Sequence, residues 1–134
     1  MIIKEYKNYN ESEILSLYSS VGWTAYTDSP CTLRAGFANS LLTLAAYEDS
    51  RLLGLIRCVG DGETIVYIQD ILVFPEHQRQ GVGKALFQEA LSRFSQVRQI
   101  VLSTDCEERT LQFYKSLGFT QMEDIGCCSF MYLK

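Results

Sequence analysis

The stretch DILVFPEHQRQGVGKALFQEAL, residues 70–91, passes from an apolar run through a proline and a cluster of donors into an amphipathic run. From Gly81 to Phe94, the residues Val82, Leu86 and Ala90, joined by Phe87, Leu91 and Phe94, recur with the 3.6-residue period of a core-facing helix. Upstream, Thr64 to Phe74 (TIVYIQDILVF) is apolar on both alternating faces, which predicts a central strand covered on both sides and stopped by Pro75. At a strand-to-helix junction the first helical turn leaves N–H groups unpaired and carries partial positive charge, a setting that suits phosphate. Gly81 and Gly83 lack the Cβ atoms that would hold an anion away from the backbone, and Arg79 and Lys84 add full charges. The helix dipole alone gives an anion about 0.3–1 kcal/mol, so several donors from Gln78 to Lys84 must act together. The glycines by themselves fit a plain tight turn equally well.

Working outward, Leu41 to Tyr47 and Leu52 to Val59 predict two strands that form an antiparallel meander with the central one, turning at Gly60-Asp61-Gly62. Ahead of them lie a short strand at Ile2 to Tyr6, a helix capped by Asn10 and Glu13, and a second helix opened by Ser29-Pro30. Beyond the junction, Ile100 to Ser103 reads as a strand and Glu107 to Leu117 as a helix with Gly118 past its end. Phe119 to Met122 and Cys127 to Leu133 are expected to close the sheet. The order is β-α-α-β-β-β-α-β-α-β-β, an α/β domain with a mixed central sheet. The crossover from the central strand to Ile100 is expected to be parallel.

The 134 residues suit a single domain, 1–134, large enough for a real core. A net charge of −4 argues against nucleic-acid binding, which needs a basic face. No apolar run approaches the ~20 residues that span a bilayer, so no membrane partner is expected. Five cysteines without a C-x-x-C pair (Cys31, Cys58, Cys106, Cys127, Cys128) and one histidine, His77, point to a reduced cytoplasmic protein without a metal site.

Two phosphate motifs fail. The P-loop pattern is broken because Gln78 stands at its first glycine and Ala85 replaces its hydroxyl; the dinucleotide pattern is broken because Leu86 takes its third glycine. A third pattern fits. Gln78-Arg79-Gln80-Gly81-Val82-Gly83 resembles the Q/R-x-x-G-x-G/A signature of the GCN5-related N-acetyltransferases, and LQFYKSLGF (Leu111 to Phe119) resembles that family's F-Y-x-x-L-G-F helix and turn. Both stand in the family's order and spacing, and the resemblance covers essentially the whole chain.

The resemblance implies a sheet splayed open at the site and acetyl-coenzyme A as co-substrate, with no metal. Backbone N–H groups of Gln78, Arg79, Gln80, Gly81, Val82, Gly83 and Lys84 would hold the pyrophosphate. The strand edge at Ile71, Leu72 and Val73 would pair with the pantetheine amides, and an N–H near Val73 would meet the oxyanion. Tyr114 matches the family's tyrosine general acid. Asp70, a carboxylate interrupting an apolar strand, is a candidate base, with a hydrogen-bonded structural aspartate as the equal alternative. Gln69 is expected on the opposite side of the strand. Trp23 and Tyr26 would border the acceptor, a small-molecule primary amine; a peptide amine and a non-catalytic acetyl-coenzyme A-binding module are the alternatives. By analogy with the family a homodimer is also open. Two departures stand out: Glu107 occupies a position where relatives often carry a cofactor-touching asparagine, and Thr110 replaces a commonly small alanine.

Overall fold

The computed structural model describes all 134 residues. They divide into two compact units, Met1–Ser103 and Thr104–Lys134. The first unit holds a five-stranded sheet in the order β1-β2-β3-β4-β5, with β1 Ile2–Glu5, β2 Leu42–Glu48, β3 Arg51–Gly60, β4 Ile65–Val73 and β5 Gln99–Leu102. The first four strands run antiparallel to their neighbours, and β5 joins β4 in parallel, as the crossover predicts.

Helix α1 (Glu11–Ser20) starts where the Asn10 side chain accepts the Glu13 N–H at 3.1 Å, with Glu11 and Glu13 in the first turn favouring the positive helix end. A short helix α2 (Thr24–Thr27), which the sequence pattern did not announce, precedes α3 (Pro30–Ala38). Pro30 sits in the first turn of α3, where its missing N–H costs nothing, whereas the Ser29 side chain makes no capping bond. The meander turn is held by Asp61, whose Oδ1 accepts the N–H groups of Glu63, Thr64 and Ile65 at 2.8, 2.8 and 3.0 Å.

One face of the sheet buries Ala45, Leu55 and Leu72 against Ile14, Leu17 and Tyr18 of α1 and Leu33 of α3. Helix α4 (Val82–Arg93) packs across β2, β3 and β4 and buries Val82, Leu86, Phe87 and Ala90. Full burial of each such large apolar side chain is worth about 1.5–3 kcal/mol. The two layers pin β4, and so fix the start of α4 directly beyond its end.

The second unit carries α5 (Glu108–Ser116) and a 3₁₀ turn at Met122–Ile125. Here the strand expectations for Phe119 to Met122 and Cys127 to Leu133 are corrected. Neither segment pairs with any strand, and residues 127–134 carry no regular secondary structure. An apolar run such as CCSFMYL is suited to a strand, but the backbone of a strand is only held once a ladder partner takes its N–H and C=O groups. The tail leaves Phe130, Met131, Tyr132 and Leu133 exposed at 94, 79, 88 and 80%.

Candidate active site

The β4–β5 ladder pairs only Ile65 to Ile68 with Gln99 to Leu102, while β3 follows β4 as far as Val73. Beyond Ile68, the β5 side of β4 has no ladder partner, because β5 ends at Leu102; this end of the ladder is the fork in the sheet. The Phe74 N–H bonds Leu53 O on β3 at 2.9 Å, and the Leu72 carbonyl lies against Gly54 of β3. Alternation then turns the polar groups of Ile71 and Val73 towards the fork. The Val73 carbonyl is engaged by Gln78 Nε2 at 3.0 Å, which leaves the Val73 N–H and both backbone groups of Ile71 to receive a ligand strand. Leu72 is buried, and its backbone faces β3.

The same Gln78 contact ties the end of β4 to the loop before α4. A 3₁₀ turn at Pro75–His77 reverses the chain, Arg79 takes φ 62° and Gly81 takes φ 85°. The first helical bond of α4 runs from Ala85 N to Gly81 O at 3.0 Å, so the N–H groups of Val82, Gly83 and Lys84 precede the intrahelical ladder. A Cβ added at Gly81 would meet nothing within 4 Å beyond its own chain neighbours, so the outside of the turn is open at that point. Left-handed geometry at Gly81 suits its residue type; at Arg79 it had no sequence signal.

Asp70 lies at the heart of a buried cluster. It is 1% exposed, and its Oδ2 accepts from Arg57 Nε and from the Tyr18 hydroxyl, both at 2.7 Å. Its Oδ1 accepts from the Tyr26 hydroxyl at 3.0 Å. Arg57, 6% exposed, also donates to Ser40 Oγ at 3.2 Å and lies over the Phe37 ring at 5.2 Å. Burial, then the Asp70 charge, pushes the Tyr18 phenol far above its ordinary value, so this hydroxyl stays protonated and donating. The carboxylate thus has three donors on its two oxygens, an arrangement suited to holding neighbours in place.

The position expected for Gln69 is corrected. In the β3–β4 register Arg57 faces Asp70 and Cys58 faces Ile68, which leaves Gln69 as the extra residue of a β-bulge. Adjacent residues of β3 point to opposite sides, so Ile68 and Asp70 fall on opposite faces although they are two apart. The bulge brings Gln69 to the side of Asp70, and Gln69 Nε2 donates to the Tyr26 hydroxyl at 3.0 Å. Strict alternation had put it on the other face. The predicted pair Trp23 and Tyr26 is brought together with this cluster: the rings stack at 5.9 Å and 27°, and Trp23 keeps 36% exposure.

Within the second unit, Tyr114 sits on α5 with its ring edge-on to Phe113 at 5.2 Å and to Phe119 at 6.0 Å. Burial pushes its phenol up, a hydrogen bond with Thr104 pulls the other way, and the Asp105 charge adds to the rise. Glu107, at the position of the family's asparagine, is the residue before α5 and makes no side-chain cap, while its N–H is taken by Asp105 Oδ1 at 2.9 Å.

Residues 39–121 match the family model of the GNAT acetyltransferase domain. A GNAT-family acetyltransferase from Streptococcus pneumoniae superposes with a TM-score of 0.90 at 34% identity, covering 99% of this chain and 97% of the other. The uncharacterized N-acetyltransferase ycf52 of Porphyra purpurea is 27% identical over 120 residues, covering 88% of this chain and 69% of its own length. The fold is also that of an aminoglycoside 6′-N-acetyltransferase solved with coenzyme A, at a TM-score of 0.71, 20% identity and coverage of 88% and 84%.

Proposed function

The chain belongs to the GNAT acetyltransferases, acetyl-coenzyme A-dependent enzymes, and from that premise we propose that it acetylates a primary amine of a small molecule by direct transfer. The observation that carries this reading is the forked edge of β4 leading straight into the unpaired N–H groups of the α4 turn. The backbone groups of Ile71 would pair with the pantetheine amides, and those from Gln78 to Lys84 would hold the pyrophosphate. Arg79 and Lys84 supply charge. The amine nitrogen attacks the thioester carbonyl carbon, and the Val73 N–H supports the oxyanion in a site preorganised for it. The C–S bond then breaks, the thiolate takes a proton from Tyr114, and the amine nitrogen gives up its own proton to water. Asp70, engaged by three donors, is assigned here as the anchor of the acceptor side.

The test is release of coenzyme A with a panel of small primary amines, run beside calorimetry of acetyl-coenzyme A. Donor binding without turnover by any amine, or turnover only with peptide amines, would refute the small-molecule reading. For Gly81→Val we expect the acetyl-coenzyme A Kd to rise about tenfold, because a β-branched residue at φ 85° carries a strain of about 1–2 kcal/mol that turns the donors aside. Tm should fall by only a few degrees, since the strain is confined to the turn and the added Cβ meets nothing. Unchanged donor affinity would remove the pyrophosphate from this turn.

Two coarser features of the protein extend the reading. No helix is long and apolar enough to cross a membrane, and the four exposed free cysteines (Cys31, Cys106, Cys127, Cys128) favour a reducing, cytoplasmic setting. The exposed run Phe130–Leu133 favours a homodimer, since a contiguous apolar segment in water is costly until covered. Light scattering should give twice the 15.3 kDa chain mass, and the pair Phe130→Ser/Tyr132→Ser should return it to one chain; a wild-type monomer would contradict the dimer.

A further inference from the structure

A chain of hydrogen bonds leads from the buried ion pair to the surface, and the charge at its inner end sets the direction of every link. The Asp70 carboxylate, paired with Arg57 at 2.7 Å, is an acceptor only. The Tyr26 hydroxyl at 3.0 Å from Asp70 Oδ1 must therefore spend its one proton on that bond. Its oxygen is left to accept, so the Gln69 group lying 3.0 Å away must be the NH₂ and not the carbonyl. With Nε2 held inward, Gln69 presents Oε1 outward. Gln69 is exposed, stands where the β4–β5 ladder ends, and meets no protein donor on Oε1. Beside it, Tyr26 stacks on the part-exposed face of Trp23.

Resting on the N-acetyltransferase reading, we propose that Gln69 determines acceptor specificity: its Oε1 receives an N–H of the incoming amine, whose apolar or aromatic body lies against Trp23. Tyr26, Asp70 and Arg57 are positioning residues that lock the amide in its accepting orientation. An amide free to turn would offer a donor half the time and repel the N–H it should bind. The aromatic face attracts any cation; only the amide oxygen distinguishes a nitrogen that carries hydrogen.

The test is calorimetry on the full chain saturated with coenzyme A, using phenethylamine and N,N,N-trimethylphenethylammonium, which share ring and charge while only the first has N–H groups. Wild type should prefer the primary amine about tenfold or more, the worth of one charge-assisted hydrogen bond. Gln69→Leu should bind the two alike with Tm and coenzyme A affinity unchanged. Tyr26→Phe should lose part of the preference, and Tyr26→Phe/Gln69→Leu should lose no more than Gln69→Leu alone, the non-additivity of residues acting through one group. A preference that survives in Gln69→Leu overturns the proposal, and so does a wild type that binds neither amine or both equally. Failure of coenzyme A itself to bind, read first in the same titration, would instead sink the acetyltransferase reading.

Discussion

Tyr114→Phe is expected to lower kcat about 100-fold, the usual worth of a positioned proton donor, while both KM values and Tm stay near wild type. A thiol has an ordinary pKa of about 8.5 and a phenol one of about 10, so the transfer to the thiolate is slightly uphill and is open only to a phenol that still holds its proton. Burial raises the Tyr114 phenol above that ordinary value, and the Thr104 hydrogen bond only partly offsets it. The sign follows: the active form is the protonated one, so kcat should hold through neutral pH and fall only at alkaline pH, as the raised phenol ionises. In Tyr114→Phe the low rate should lose that alkaline limb. Removing one hydroxyl leaves the edge-on contacts with Phe113 and Phe119 in place, which keeps fold and catalysis separable. Full turnover in the variant would assign the proton to water or to another group.

The sequence exposed what repeats with a period and hid what breaks one. The stripe Val82, Leu86, Ala90 and the Pro75 stop located α4 and the end of β4 within two residues. The glycine at the α4 start was legible because Gly81 adopts the left-handed geometry that L side chains resist; Arg79, at φ 62°, carried no comparable mark. The bulge at Gln69 was invisible for a stronger reason. Val66, Ile68, Asp70 and Leu72 are all buried and alternate in sequence with more open neighbours, so the strand reads as unbroken although its faces exchange between Ile68 and Asp70. The partners of Asp70 were also hidden, since Tyr18 and Arg57 lie 52 and 13 residues away. At the far end, Cys127 to Leu133 had strand composition, but pairing is a property of two segments, and one segment cannot announce it.

The two roles once open to Asp70 part company under substitution. A carboxylate that mainly holds Arg57, Tyr18 and Tyr26 should make Asp70→Ala expensive for the fold, because it strands a guanidinium that is 6% exposed and two phenols. Breaking a buried pair by removing one partner costs about 3–5 kcal/mol, a large fraction of the stability of a domain. We expect urea unfolding of Asp70→Ala to show a loss of that size, and Arg57→Ala to lose a similar amount by leaving the carboxylate buried. The double variant should lose clearly less than the two added together, since removing both charges leaves no unpaired ion. Asp70→Asn is the discriminating case. It keeps the shape and one accepting oxygen but abandons the charge, so an anchor predicts a fall in stability with kcat reduced only as far as Gln69 loses its orientation. A general base predicts the reverse: stability close to wild type and a kcat that collapses along with its acidic pH limb. The three donors already on the two oxygens favour the first pattern; the second would return the proton to Asp70 and leave Tyr18 and Tyr26 as spectators.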